Sequence, residues 1–328
     1  KNDVLRWQVQ QSNLELTKID LENNIEIANY DFNLMLGMNG STKIEPDSNS
    51  VNEAIQQKTF DEYLNLSLKS RADLYLQKLY DALLQTLIGA LGARDLVIVP
   101  AGALNYVPFH SLFDGEKYLV ESREVKSSPS AAVWMKLNSR KPKPPKNALL
   151  MAFADEQIPL VDREVEELAK LLPNATKLKG KHATFAAFQK QASDFDVIHL
   201  ACHGQFRSDN PMFSSLRLAD GSVTVRDVCS IRLKAELVTL SACETGLNKI
   251  FAGEEILGLA RGFLSAGARS LVLSLWTVND DATARLMADL YDNLQRGKTI
   301  AASLRVAQVN LIKKGEHPYF WSPFLVIG

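Results

Sequence analysis

Cysteine is scarce in this chain, with 3 in 328 residues. An odd number, two of them inside apolar runs, excludes a disulfide framework and points to a reducing compartment. The cytoplasm is therefore the expected location; the chain opens on Lys1 rather than Met, which leaves its true start open. Charge of either sign is not in excess, since the formal net charge is -1. That removes the electrostatic case for nucleic acid or an anionic membrane as a partner. No apolar run approaches the roughly 20 residues a membrane helix needs. Internal repeats and low-complexity tracts are absent, and so is any CxxC pair; the HxxxH spacing of His199 and His203 falls on an expected buried strand rather than on the turn or helix that holds a structural zinc.

What the chain does contain is an ordinary globular composition, 46% hydrophobic and 23% charged. Its length suits one large domain or two. Residues 1–50 read as a helical segment and linker. Leu14, Leu21, Ile25, Ala28, Phe32 and Met35 recur at helical spacing, a second stripe runs through Leu5, Val9, Leu16 and Ile19, and Gly37 suits the helix end. The segment LENN (Leu21–Asn24) with FNLMLG (Phe32–Gly37) is similar to the end of the helical repeat in outer-membrane efflux channel (TolC-like) proteins. Such a fragment would be joined to an unrelated domain.

From Val51 onward the chain reads as one further domain, 51–328. A helical pattern to Gly92 precedes a buried strand, Leu96–Val99, and an extended segment, Asn105–Phe109. The prolines of Lys141–Lys146 forbid helix and make a stiff spacer. Strands and helices then alternate. Strands are expected at Ala148–Phe153, Val197–Ala201, Leu237–Leu240, Ser270–Trp276 and Phe324–Ile327. Helices are expected at about 162–172 with Asp162 as N-cap, at 184–191, 253–266, 280–294 and 299–313, and a loop from Gln205 to Asp220. The expected fold is α/β, a mostly parallel sheet covered by helices on both faces.

Doubly wound sheets bind ligands outside the carboxyl ends of their strands. Two apolar runs break into polar residues and glycine at that edge, VIHLACHG and LVTLSACETG, and deliver His203 and Cys243. A thiol with an unperturbed pKa of about 8.5 is barely ionised at neutral pH. A neighbouring histidine can take its proton and stabilise the thiolate. The backbone N–H groups of Gly204 and Cys243 are candidate oxyanion donors, and a glycine at 204 admits a close approach. Strand alternation puts His199 and His203 on one face and Cys202 on the other, which makes Cys202 the poorer nucleophile; His199 reads as a core histidine. A zinc set drawn from His199, Cys202, His203, Cys229 and Cys243 would split its ligands between two faces, so no metal is expected. Gly253, Gly258 and Gly262 lie in a helical pattern rather than a phosphate loop, and no cofactor is expected.

These motifs, with GEEILGLARGFL (Gly253–Leu264), SLWTVND (Ser274–Asp280), IVPAGALNYVPF (Ile98–Phe109) and HPYFWSPF (His317–Phe324), resemble the CHAT peptidase family. The resemblance implies a caspase-like fold, related to caspases and separase, and a cysteine endopeptidase whose dyad falls on His203 and Cys243. A protein or peptide would be the substrate. CHAT domains often follow helical repeats that control them, so a regulatory repeat domain or activator would act in trans. In separase a similar L-W-x-V-T-D pattern ends in an acid that binds a basic P1 residue. Asp280 holds that position here, with Asn279 in place of Thr, and equally suits the cap of the following helix. The alternative reading is a catalytically silent caspase-like scaffold that binds protein partners.

Overall fold

The computed structural model describes residue 18 and residues 60–154, 158, 161–172, 174–205, 210–241, 254–276 and 280–328. The chain falls into two compact units, Lys1–Thr59 and Phe60–Gly328. The expected helix, linker and efflux-channel-like fragment of residues 1–50 lie outside the described residues, apart from Lys18, which is helical.

The second unit is built on an eight-stranded sheet. Its strands are β1 (Leu96–Ile98), β2 (Val125–Ser127), β3 (Ala148–Ala152), β4 (Ala175–Lys179), β5 (Val197–Ala201), β9 (Leu237–Leu240), β10 (Ser270–Ser274) and β11 (Phe324–Ile327). Their order is β1-β2-β11-β10-β9-β5-β3-β4. Every neighbouring pair is parallel except β10 with β11. All residues of β3, β5 and β9 are buried, which is why these strands read as largely apolar runs. Only His199 in β5 and Thr239 in β9 interrupt those runs.

Strand alternation sorts the side chains onto two cores. On one face Leu149, Met151, Ile198, Leu200, Val238 and Leu240 pack with Phe263 of α8 (Glu254–Ala266) and Phe188 of α6 (Phe185–Gln191). On the other, Leu150, Val197, Ala201 and Leu237 pack against α5 (Val161–Leu171), α9 (Asp280–Gln295) and α10 (Ile300–Lys313). A smaller cluster joins β1 to α1 (Phe60–Leu83) and α2 (Gln85–Leu91) through Leu84, Leu96 and Leu112. Two short helices, α3 (Leu119–Ser122) and α4 (Ala131–Asn138), complete the region before the proline-rich spacer. That spacer carries no helix or strand. Caps behave as their residue types suggest: Thr184 and Thr299 each accept a backbone N–H at 3.1 Å to open α6 and α10.

Several expectations are corrected. The segment Asn105–Phe109 is not extended throughout: Asn105 and Tyr106 end one 3-10 turn, Gly102–Tyr106, Val107 is extended, and Phe109 opens a second turn, Phe109–Ser111. Side-chain bonds to the local backbone close them, from Asn105 Nδ2 to the Gly102 carbonyl at 3.0 Å and from Ser111 Oγ to the Pro108 carbonyl at 2.8 Å. Asp162 does not cap α5 but sits inside its first turn. The expected loop 205–220 contains strands: β6 (Gly204–Gln205), β7 (Ser215–Leu218) and β8 (Gly221–Thr224) form a separate antiparallel sheet. Strands of two to four residues are too short to show a period in sequence, and their buried apolar side chains are Leu216, Leu218 and Val223 alone among the described residues. β2, three residues long, escaped the sequence reading for the same reason, and the lysine-bearing edge strand β4 did so because none of its five residues is buried.

Candidate active site

The five parallel strands β4, β3, β5, β9 and β10 present their carboxyl ends on one edge. β5 and β9 are hydrogen-bonded neighbours, with Leu200 and Leu240 as Cα partners. The ladder continues one residue further, since the Ser241 N–H donates to the Leu200 carbonyl at 3.2 Å. Counted along the chain from that shared rung, His203 stands three residues past Leu200 and Cys243 three past Leu240. Cys243 itself lies outside the described residues, as do Gly253 and residues 244–246.

β5 ends at Ala201, so strand alternation does not orient His203. The chain turns there into β6, and the His203 carbonyl accepts the Arg217 N–H of β7 at 2.7 Å. Gly204 pairs with Leu216. Together these contacts make Gly204–Leu216 a pair of the kind that exchanges no direct bond, whose own N–H and C=O point away from the partner strand. The Gly204 N–H is thus turned away from β7, as an oxyanion donor requires. Alternation still holds for Cys202, which is 2% exposed and packed with Ile198 and Leu200 on the α8 face. Cys229 ends the short helix α7 (Val225–Cys229) and is exposed. Among the described residues no three His, Cys, Asp or Glu side chains gather as a metal site. Gly258 and Gly262 lie within α8, where a Cβ on Gly262 would come 3.1 Å from Val225 Cγ1, so this glycine serves helix packing. Asp280 is the first residue of α9; its side chain lies outside the described ones.

Beneath this edge lies a polar cluster that sequence reasoning missed. His199, on β5, is fully buried. Its Nδ1 is 3.0 Å from the hydroxyl of Tyr291 on α9, and that hydroxyl donates to Thr239 Oγ1 of β9 at 2.8 Å. Its Nε2 is 3.3 Å from Ser241 Oγ. Glu164 of α5 places Oε1 3.0 Å from the same nitrogen, without the alignment of a hydrogen bond. Because the Tyr291 proton goes to Thr239, the ring donates its Nδ1–H to the Tyr291 hydroxyl, while Nε2 faces both Ser241 Oγ and Glu164 Oε1. Burial pushes the Tyr291 phenol well above its ordinary pKa, which keeps it a neutral donor. Two signals in the sequence point here. Glu164 occupies a place in the apolar stripe Val161, Val165, Leu168 of α5, and Tyr291 does so beside Leu290 and Leu294 of α9.

A groove of about 460 Å³ opens between α5 and α9, lined by Arg163, Glu164, Glu167, Asp281 and Arg285 among others. A larger cavity, about 650 Å³, includes Val197, Leu237 and Ser270 in its walls. Those residues begin β5, β9 and β10, so this cavity is at the opposite edge from His203. Among the described residues no helix is long and apolar enough to cross a membrane.

The human and mouse proteins named tetratricopeptide repeat protein 28 are each 25% identical to this chain, over alignments of 322 and 324 residues that cover 77% of it. The chain spans only 13% of the length of those relatives. In structure it is similar to separase in the Saccharomyces cerevisiae separase–securin complex, with a TM-score of 0.52 and 11% identity over 71% of this chain and 15% of that one. That likeness carries the fold, a caspase-like α/β sheet with helices on both faces. The CHAT domain matches residues 73–328, and on that match the chain belongs to the CHAT-domain family.

Proposed function

We propose that this protein is a caspase-like cysteine endopeptidase. Cys243 is the nucleophile, His203 the proton shuttle and the Gly204 N–H an oxyanion donor. The observation that supports this most is the shared rung of β5 and β9, from which the two chains run three residues to His203 and Cys243 at the carboxyl edge of neighbouring parallel strands. His203 would take the thiol proton as sulfur attacks the peptide carbonyl, then return it to the leaving amine. Water, activated by the same imidazole, would release the acyl group and restore the thiol. The Gly204 N–H, facing away from β7, would carry the developing oxyanion.

In this reading Asp280, at the first turn of α9, offers a carboxylate to a basic P1 side chain. The peptidase unit runs over residues 51–328, with residues 1–50 a separate helical segment, and it works in the cytoplasm. Protein partners govern it. The curated relatives are named for tetratricopeptide repeats, and the separase structure holds securin; a repeat domain or activator in trans is the analogous control here. Fluorogenic peptides ending in Arg, Lys or Asp at P1, offered to the purified protein and to Cys243→Ala and His203→Ala, test the reading. Cleavage after Arg or Lys, lost in both variants, supports it. The absence of both cleavage and Cys243-dependent labelling by a thiol-reactive peptide probe would sink it, and would leave a scaffold that binds partners without cutting.

A further inference from the structure

The buried polar cluster under the edge has geometry that an apolar core does not need. Around it the same sheet face is filled by Leu150, Val197, Leu237, Leu286 and Met287, and aliphatic side chains of similar volume would fill its place as well. Hydrogen bonds differ from apolar contacts in having direction, so a set held at several fixed distances constrains orientation as well as volume.

The placement of these bonds is specific. His199 and Thr239 are Cα partners on the rung immediately before Leu200 and Leu240. The Tyr291 hydroxyl reaches both, so one atom of α9 ties β5 to β9 across the sheet. On the other side of the ring Glu164 brings in α5, and Ser241 brings in the first residue past β9. Ser241 stands two residues before Cys243 along the chain, and His199 four before His203. Both arms that carry the proposed dyad are therefore gripped within a few residues of it. Every member is buried, where an unpaired polar group costs most and alternative arrangements are least available.

We propose that Tyr291, His199 and Glu164 are positioning residues for catalysis: they hold the carboxyl ends of β5 and β9, and with them His203 and Cys243, at fixed separation and orientation. The proposal rests on the peptidase reading above. None of the three touches substrate. Their effect comes through the geometry of the nucleophile and its base, where a misplacement of about 1 Å costs about a hundredfold in rate.

The test measures the rate at which iodoacetamide alkylates Cys243, followed peptide by peptide by mass spectrometry across pH, together with kcat and KM on the best Arg or Lys substrate. In the wild-type protein an alkylation profile like that of an unassisted thiol, with a midpoint near the ordinary value of about 8.5, overturns the dyad itself, whatever the network does. Given a wild-type thiol that reacts well below that pH, Tyr291→Phe, which keeps the ring, is expected to lower kcat about a hundredfold with KM within about twofold, and to move the alkylation midpoint toward that of an unassisted thiol. A folded Tyr291→Phe protein with wild-type kcat and alkylation profile overturns the positioning role. Should Tyr291→Phe not fold, Glu164→Gln and Glu164→Ala give the same decision. The isosteric amide is expected to keep most of the activity that alanine loses, and equal activity in the two overturns the proposal.

Discussion

His110 should make the folded state acid-sensitive, by an amount that its surroundings set. It sits in the 3-10 turn Phe109–Ser111, 5% exposed, with its ring centroid 6.3 Å from that of Trp321. Nε2 finds no hydrogen-bond partner among the described residues, so a proton added there would be a buried, unpaired charge. Burial accordingly lowers the His110 pKa to about 4, against a weaker opposing pull from a hydrogen bond to the Ser322 backbone. Below its ordinary value of about 6.5, the unfolded chain binds a proton that the folded one refuses. Stability is therefore full above that pH and falls as pH drops, at about 1.4 kcal/mol per pH unit, until the folded-state ring titrates near 4. The loss amounts to about 2 kcal/mol between about pH 7 and pH 5, and about 3 kcal/mol in full. His110→Asn keeps an amide donor but does not titrate. Urea unfolding of both proteins across this range cancels the other titrating groups, which are common to the two. The stability gap between wild type and variant is expected to shift by about 2 kcal/mol, in favour of the variant, as pH falls from about 7 to 5. A gap that stays constant with pH would refute the reasoning, because it would mean that the ring takes up its proton as readily folded as unfolded.

Three further outcomes are expected. Gly267 follows the end of α8 with φ of +120°, and a Cβ there would lie 2.3 Å from the Leu233 carbonyl oxygen, so Gly267→Ala should cost at least about 3 kcal/mol in a denaturant melt. Gln308 is 2% exposed and its Nε2 donates to the carbonyls of Trp321 and Phe324 at 3.1 and 2.8 Å; Gln308→Leu leaves both buried and unpaired, and should lose about 2–4 kcal/mol by the same measurement. In the native protein iodoacetamide should modify the exposed Cys229 and leave the buried Cys202 untouched until unfolding, while Cys202→Ala should retain the cleavage activity that Cys243→Ala loses; modification of native Cys202 at the rate of Cys229 would contradict its packing.

Much of the architecture is written in local pattern. Strands buried on both faces must be largely apolar, so β3, β5 and β9 announce themselves as apolar runs, and the glycine and polar residues that follow mark the carboxyl edge. The threonines at 184 and 299 mark helix starts because a hydroxyl at that place satisfies an orphan N–H. The family motifs and the candidacy of His203, Gly204, Cys243 and Asp280 each follow from features within a dozen residues of the position concerned.

What pattern alone does not reach is what depends on contacts across the chain. β6, β7 and β8 are too short to carry a period, and their pairing is decided by where the turn at His203 meets Arg217. Strand parity can say that His199 is interior, but not that Glu164, 35 residues before it, and Tyr291, 92 residues after it, converge on its two ring nitrogens. A buried polar group takes its partners from whatever the fold packs against it, and hydrogen-bond direction has no sequence period. The sequence by itself determined the buried strands of the sheet, their carboxyl edge and the candidacy of His203 and Cys243. Only the tertiary structure decided that β5 and β9 share the rung that stands three residues before each of them along the chain, and that a tyrosine and a glutamate from two separate helices meet at the histidine one rung below.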